Sequence, residues 1–264
     1  MIGAMPQHAR LHPAARRARA ALPWLAGWWR MLHLAAVLLV LAFSPSSYGA
    51  SQRRALLQRL YQTTAPALLW FSVVSTLISL VLIRIVLVTA LGYGLSQYAL
   101  EMVVRVLVLE LIPLTAALFA ALRSTIPQAA EIALLRAQGA WQQVHDPVRE
   151  EVLPRVASGV FCALLLAVVS CVVTLVVAYL SVYGFTSAGF AAYTHTVGHV
   201  FGPAVSLILG LKILLSGIAV ALVPVATVLE APASARTSTE LRGLVRMFVV
   251  LVLIEAASLV GNYY

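Results

Sequence analysis

Five long apolar runs, at about 66–92, 98–122, 156–183, 203–229 and 243–262, alternate with shorter polar connections along this chain of 264 residues. Each run is close to the ~20 residues that an α-helix needs to cross the hydrocarbon core of a bilayer. The pattern predicts an all-α membrane protein with five transmembrane helices. The first two runs are separated only by LGYGLSQYAL, which makes them a tight antiparallel hairpin. The longest polar insertion, about 124–155, falls between the second and third.

The amino-terminal part is less regular. Residues 24–44, WLAGWWRMLHLAAVLLVLAFS, form a sixth apolar segment that fits a signal peptide, a span or a helix lying in the membrane interface. Cleavage or spanning here would move SQRRALLQRLY across the membrane and invert every later loop against its charge. The uninterrupted run from Met31 to Ser44 is short for a span and contains His33, while Trp24, Trp28, Trp29 and Arg30 suit the headgroup layer. The interfacial reading is therefore favoured. It divides the chain into a basic tail at 1–23, an interfacial helix and amphipathic linker at 24–62, and a five-span domain at 63–264.

Composition supports the membrane assignment: 62% of residues are hydrophobic and 10% charged, and the mean hydropathy is +0.96. Soluble domains carry about a quarter of their residues as charges. The formal charge of +9 rests almost wholly on arginine, with Lys212 the single lysine. Its placement decides its meaning. Eight arginines, Arg10 to Arg59, precede the first span; Arg123, Arg136, Arg149 and Arg155 lie between the second and third; Arg236, Arg242 and Arg246 lie between the fourth and fifth. The remaining two connections hold no Lys or Arg. This is the positive-inside pattern, which predicts a cytoplasmic amino terminus and a carboxyl terminus on the far side. Basic and aromatic residues do not interleave as in nucleic-acid modules, so nucleic acid is not an expected partner.

Within the insertion, PQAAEIALLRAQGAW predicts a helix started by Pro127 and stopped by Gly139. DPVREEVLPR then reads as a turn and a second short helix or linker, with Asp146 ahead of Pro147 as the cap. A single organised surface on the cytoplasmic side implies a docking element, because structureless loops of this length are uncommon.

Several chemistries are absent. The only lysine lies mid-span, so no G-x-x-x-x-G-K-[ST] phosphate loop exists, and there is no G-x-S-x-G elbow. His195 and His199 have the i, i+4 spacing of two metal ligands on one helix face, but no carboxylate or cysteine lies nearby in sequence to complete a shell. No metal is expected. Cys162 and Cys171 both fall inside the third span and read as small apolar packing residues.

The informative residues are charges at membrane depth: Arg84, Glu101, Arg105, Glu110, Lys212 and Glu255. Each costs at least about 2.5–3.5 kcal/mol near the bilayer centre unless paired or hydrated, so such residues face a bundle interior or a cavity. A structural role is the competing reading. Glu110 and Lys212 would then pair to fix helix register, and Arg84 and Arg105 would snorkel to an interface.

The run Glu110-Leu111-Ile112-Pro113, with Thr115 and Arg123, resembles the E-L-G-P…T…G-R signature of the MlaE-type (MlaE/YrbE) permeases, membrane subunits of ABC systems that move lipids with MCE-domain proteins. Glu131, eight residues after Arg123, matches the glutamate of that family's A-A-E-[IL]-G segment. Asp146-Pro147 and Pro154-Arg155 match its D-P…P-R pair, Leu60-Tyr61 a pair before the first span, and Lys212 and Glu255 its lysine and acidic residue in the last two spans. The resemblance covers about residues 20–262. Ile112 and Leu122 stand where the family has glycine, and the coupling segment, RAQGAWQQVH, is about four residues shorter than usual.

The resemblance implies an inner-membrane dimer of permease chains, homodimeric or heterodimeric, with a periplasmic carboxyl terminus and a lipid cavity at its axis. A ring of MCE-domain (MlaD-like) subunits would sit above it. Two separate ABC ATPases would clasp the insertion and hold the ATP and Mg that this chain cannot bind; no cofactor is expected in the chain itself. Glu110, Pro113, Lys212, Glu255, Arg84 and Arg105 would lie by the phospholipid cavity. Arg123, which would close the second span, would join Glu131, Arg136, Trp141, Asp146, Pro147, Arg149 and Arg155 in coupling to the ATPase. Two other classes stay open on the residues alone: an intramembrane lipid-modifying enzyme and a membrane scaffold or assembly factor.

Overall fold

In a computed structural model of the chain, residues 27–38, 40–41, 50–143, 146–231 and 236–263 are described. The expected basic tail at 1–23, Trp24 and most of the Ser/Pro/Gly break at 44–51 lie outside them. The described residues are helical apart from short turns, with no strand among them. They include five helical stretches long and apolar enough to cross a membrane, at Leu56–Gly92, Tyr98–Ala137, Val148–Tyr183, Pro203–Glu230 and Leu241–Asn262.

The helical residues 27–38 (α1) and 40–41 correspond to the predicted interfacial segment. Met31 and Leu38, two turns apart, are buried in the protein's main apolar cluster, while Trp29, Leu32 and Val40 on other faces stay exposed. Helix α2 (Ala50–Gly92) differs from expectation by absorbing the amphipathic linker into the first span. Its 43 residues make a rod of about 65 Å, twice the ~30 Å core. Pro66 sits inside it without ending it, because Ala67 and Phe71 bury on the following turn against Ala116, Cys162 and Leu166.

The second span is one winding helical path with two local expansions. It runs from α3 (Ser96–Val103) through a π-helical stretch at Val104–Leu111 into α4 (Ile112–Ala120), then through a π-helical turn at Ala121–Thr125 into α5 (Ile126–Ala137). The Ile112 amide reaches back to the Leu107 carbonyl and the Ile126 amide to Ala121, each five residues earlier. Arg123 was expected to end the span; the helix instead continues past it, and the two residues that follow, Ser124 and Thr125, are buried. Pro127 occupies the first turn of α5 and Gly139, at φ +73°, ends it, as the sequence predicts.

A third π-helical turn at Val148–Val152 opens into α6 (Leu153–Tyr183), the central helix, which packs against α2, α4 and α8. Small residues line its buried face: Ser158, Gly159, Cys162, Ala163, Ala167 and Ser170. Small side chains let helices in lipid approach closely where no hydrophobic effect drives them together. Gly159 shows how close. A Cβ there would lie 2.7 Å from Thr125 Cγ2 and 3.1 Å from the Ala221 Cβ. Further along, the Ser79 and Thr174 hydroxyls share a hydrogen bond of 2.8 Å between α2 and α6.

The connection after α6 contains a helix that the sequence pattern leaves undefined, α7 (Phe190–Val200). Tyr193 anchors it by donating its hydroxyl to the Leu175 carbonyl at 2.7 Å. Burial pushes this phenol up to about 12, so it remains a donor at neutral pH. The last two helices, α8 (Pro203–Glu230) and α9 (Arg236–Tyr263), pack as an antiparallel pair. Gly243 faces Thr227 near one end and Gly261 faces Ile208 near the other, which fixes their register.

Candidate functional site

Lys212 lies near the middle of α8 with its side chain 1% exposed. Its ammonium is held from two other helices and one carbonyl. It pairs closely with Glu110 Oε2 from the π-helical stretch, reaches Glu255 Oε1 of α9 at 2.8 Å, and donates to the Leu109 carbonyl at 2.9 Å. Three separate spans thus converge on one charge. Asn262, two turns beyond Glu255 on α9, donates its amide to Glu110 Oε1 at 3.3 Å. A buried lysine without partners would be expelled or neutralised; with two carboxylates and a carbonyl around it the charge is tolerated.

Local chemistry removes one competitor for this carbonyl. Pro113 has no N–H and cannot bond the carbonyl four residues before it, which is Leu109. Glu110 falls in the same expanded stretch, where i→i+5 bonding widens the turn and re-aims side chains.

The other intramembrane charges do not join this cluster. Arg105 pairs with Glu101 on its own helix, Nη2 to Oε1 at 2.9 Å, with both side chains about a third exposed. Arg84 lies exposed on α2. His195 and His199 lie one turn apart on α7, both exposed, and among the described residues no group of three or more His, Cys, Asp or Glu could hold a metal ion.

A second polar assembly occupies the end of the bundle that carries the insertion. Arg155, its side chain 6% exposed at the start of α6, pairs closely with Glu151, donates to the Glu151 carbonyl at 2.8 Å, and comes within 3.6 Å of Glu131 on α5. Gln128 of α5 lies beside Ser124 and Ser158, tying the π-helical turn, α5 and α6 together. Arg136, in the last turn of α5, donates to the Val228 carbonyl and, at 3.2 Å, to the Ala231 carbonyl. A cation at the carboxyl end of α8 meets the negative end of its dipole and satisfies carbonyls that the helix leaves open. Glu230 and Arg246 bridge the same end at 2.9 Å.

The remaining predicted coupling residues lie on or beside the insertion. Asp146 Oδ1 accepts the Arg149 amide at 3.3 Å, the cap that the sequence suggests, with Pro147 between them. Trp141 is half-buried against the main apolar cluster, while Arg123 and Glu131 are exposed. Sequence reasoning missed Asn262, Gln128 and the Glu230–Arg246 pair. For Asn262 a signal existed, since seven residues from Glu255 is two helical turns on one face.

Five apolar spans, three of which meet at a buried lysine and two carboxylates, with a helical insertion at one end, define a multi-pass membrane protein. The family described as Permease MlaE matches residues 56–260, and the chain belongs to that family, the membrane permeases of lipid ABC transporters. The match runs from α2 to α9 and includes both polar assemblies apart from Asn262. No curated protein matches the sequence.

Proposed function

We propose that this chain is the permease subunit of an ABC-type transporter that moves phospholipid between the inner membrane and an MCE-domain protein, energised by a separate ATPase. The Lys212–Glu110–Glu255 cluster carries the reading. Buried ion groups cost more than well-packed apolar residues of similar volume, so their convergence from three spans points to a working surface in the membrane interior. The family membership supplies the substrate class.

In this reading α5 is the coupling helix, in cytoplasm with the amino terminus, and an ATPase seats on its exposed face around Glu131 and Arg123. Arg136 and Arg155 tie that helix to α8 and α6, so a push on α5 reaches the spans carrying Lys212 and, through α4, Glu110. Two copies of the permease would enclose the lipid path, and ATP with Mg would belong to the ATPase.

The test is purification of the tagged chain from its native membrane in mild detergent, followed by mass spectrometry of the proteins and lipids that accompany it. An ATPase, an MCE-domain protein and bound phospholipid are expected together. A chain that arrives alone and lipid-free would overturn the reading.

A further inference from the structure

Helix α1 has a face that the bundle takes up only in part. Met31 and Leu38 turn into the main apolar cluster, whereas Arg30, His33, Leu34 and Val37 recur at i, i+3, i+4 and i+7 and share another face. With Trp29, and with Val148 where the insertion turns into the third span, they line an open groove of about 470 Å³. That is within the ~300–1,000 Å³ of small-molecule sites.

The groove is graded. Its cations stand close to Gly27, which lies against the Glu230–Arg246 bridge at the insertion end of α8 and α9: a Cβ there would come within 2.6 Å of Arg246 Nη2. Arg30 is one turn further on, so the charged part of the groove is near the polar end of the bundle. The aliphatic walls are Leu34, Val37 and Val148. No acid lines the groove, and among the described residues neither Arg30 nor His33 has a hydrogen-bond or ion-pair partner. A guanidinium and an imidazole one turn apart can both donate to a single phosphate.

The surroundings of the groove narrow the choice of occupant. Trp29, Leu32 and Val40 are exposed around α1, and on an interfacial helix such residues sit at the boundary of headgroups and acyl chains. A free phosphate would leave the aliphatic walls uncovered, and a plain hydrocarbon would leave two donors unused. A zwitterionic headgroup would bring an amine for which the groove has no carboxylate. We infer that Arg30 and His33 hold the phosphate of an anionic phospholipid whose acyl chain lies along Leu34, Val37 and Val148, a resident lipid that fastens α1 to the entry of the third span. Basic pockets beside membrane helices recognise anionic headgroups in this way. The inference rests on the interfacial placement of α1 and is independent of lipid transport.

The experiment places the full chain in phosphatidylcholine nanodiscs doped with phosphatidylglycerol or phosphatidylcholine carrying an acyl-chain diazirine, and maps the photoadducts by mass spectrometry. The phosphatidylglycerol probe is expected to label residues 27–38 and Val148 several-fold more than the phosphatidylcholine probe. Leu253 and Val260, exposed on α9, are expected to label equally with both. The double variant Arg30→Gln, His33→Gln is expected to lose the excess while its α9 labelling and its melting temperature in phosphatidylcholine stay those of wild type. Arg30→Lys should keep most of the excess, and Val37→Trp, which fills the groove, should lower labelling there by both probes. Equal labelling of α1 by the two probes in wild type, an equal excess over α9, or an excess that survives the double variant overturns the site. An excess erased by inorganic phosphate but not by chloride at the same ionic strength assigns Arg30 and His33 to a soluble anion and overturns the lipid assignment.

Discussion

Lys212 Nζ donates to the backbone carbonyl of Leu109 at 2.9 Å, four residues before Pro113. The two features of the second span that look least suited to a membrane, a proline and a neighbouring charge, are thereby parts of one arrangement. Pro113 withholds an N–H from that carbonyl, the helix widens around Glu110, and a lysine from another span enters with its charge paired at once. Backbone polarity that would be costly against lipid is satisfied inside the protein.

Pro113→Ala tests this directly. Alanine restores an N–H that competes for the Leu109 carbonyl, and an interior proline costs a helix ~3 kcal/mol. The variant is expected to melt at the same temperature as wild type or higher, while lipid transport falls. A lower melting temperature would show that the expanded turn is merely the best packing available.

Removing the lysine should cost far more than removing one acid. Lys212→Met strands two carboxylates at membrane depth and is expected to destabilise the protein by ~3–5 kcal/mol, as broken buried pairs do. The triple variant Lys212→Met, Glu110→Gln, Glu255→Gln should recover most of that loss. Thermal unfolding in one detergent checks both, and equal melting temperatures for single and triple variants would contradict the pairing.

The coupling helix depends on Arg136. Arg136→Ala leaves the Val228 and Ala231 carbonyls without their charged donor, a loss of ~1–3 kcal/mol that acts locally on α5. Hydrogen exchange should rise over Ile126–Ala137 and at the end of α8, with the Lys212 region unchanged. On the proposed function the same variant retains less ATPase but as much lipid as wild type.

Gly159 marks a close approach of α6 to both Thr125 and α8. Gly159→Val would press new methyl groups into Thr125 and Ala221, and overpacking of this kind costs ~1–3 kcal/mol. Because Thr125 lies in the π-helical turn leading to α5, the variant is expected to lower the melting temperature and increase protease access to the 124–155 insertion together. Wild-type stability would mean that α6 and α8 slide apart freely.

Much of this was legible from residues alone. The five spans follow from apolar length, and the pairing of Glu110 with Lys212 follows from the cost of leaving either alone. Pro127, Gly139 and Asp146 marked the insertion's helix and turn because their backbone preferences are local. The expanded turns were not legible: bonding to the fifth residue instead of the fourth is set by packing of neighbouring spans and leaves no side-chain signature. For the same reason α2 runs through Pro66 and the helical path of the second span continues past Arg123, where proline and arginine ordinarily suggest helix boundaries. Helix α7 was obscured by Gly198 and by its mixture of polar and aromatic residues, and only the Tyr193 anchor reveals what holds it.

On the proposed function the Lys212–Glu110–Glu255 cluster lies on the path of lipid driven by a partner ATPase. The most direct measurement is ATP-dependent transfer of a labelled phospholipid between proteoliposomes holding the assembled complex and an MCE-domain protein, comparing wild type with Glu110→Ala. Transfer is expected to fall about tenfold or more in the variant, equivalent to ~1.4 kcal/mol on the barrier, with the ATPase still bound. Wild-type transfer by Glu110→Ala would contradict it and leave the cluster a structural fastening alone.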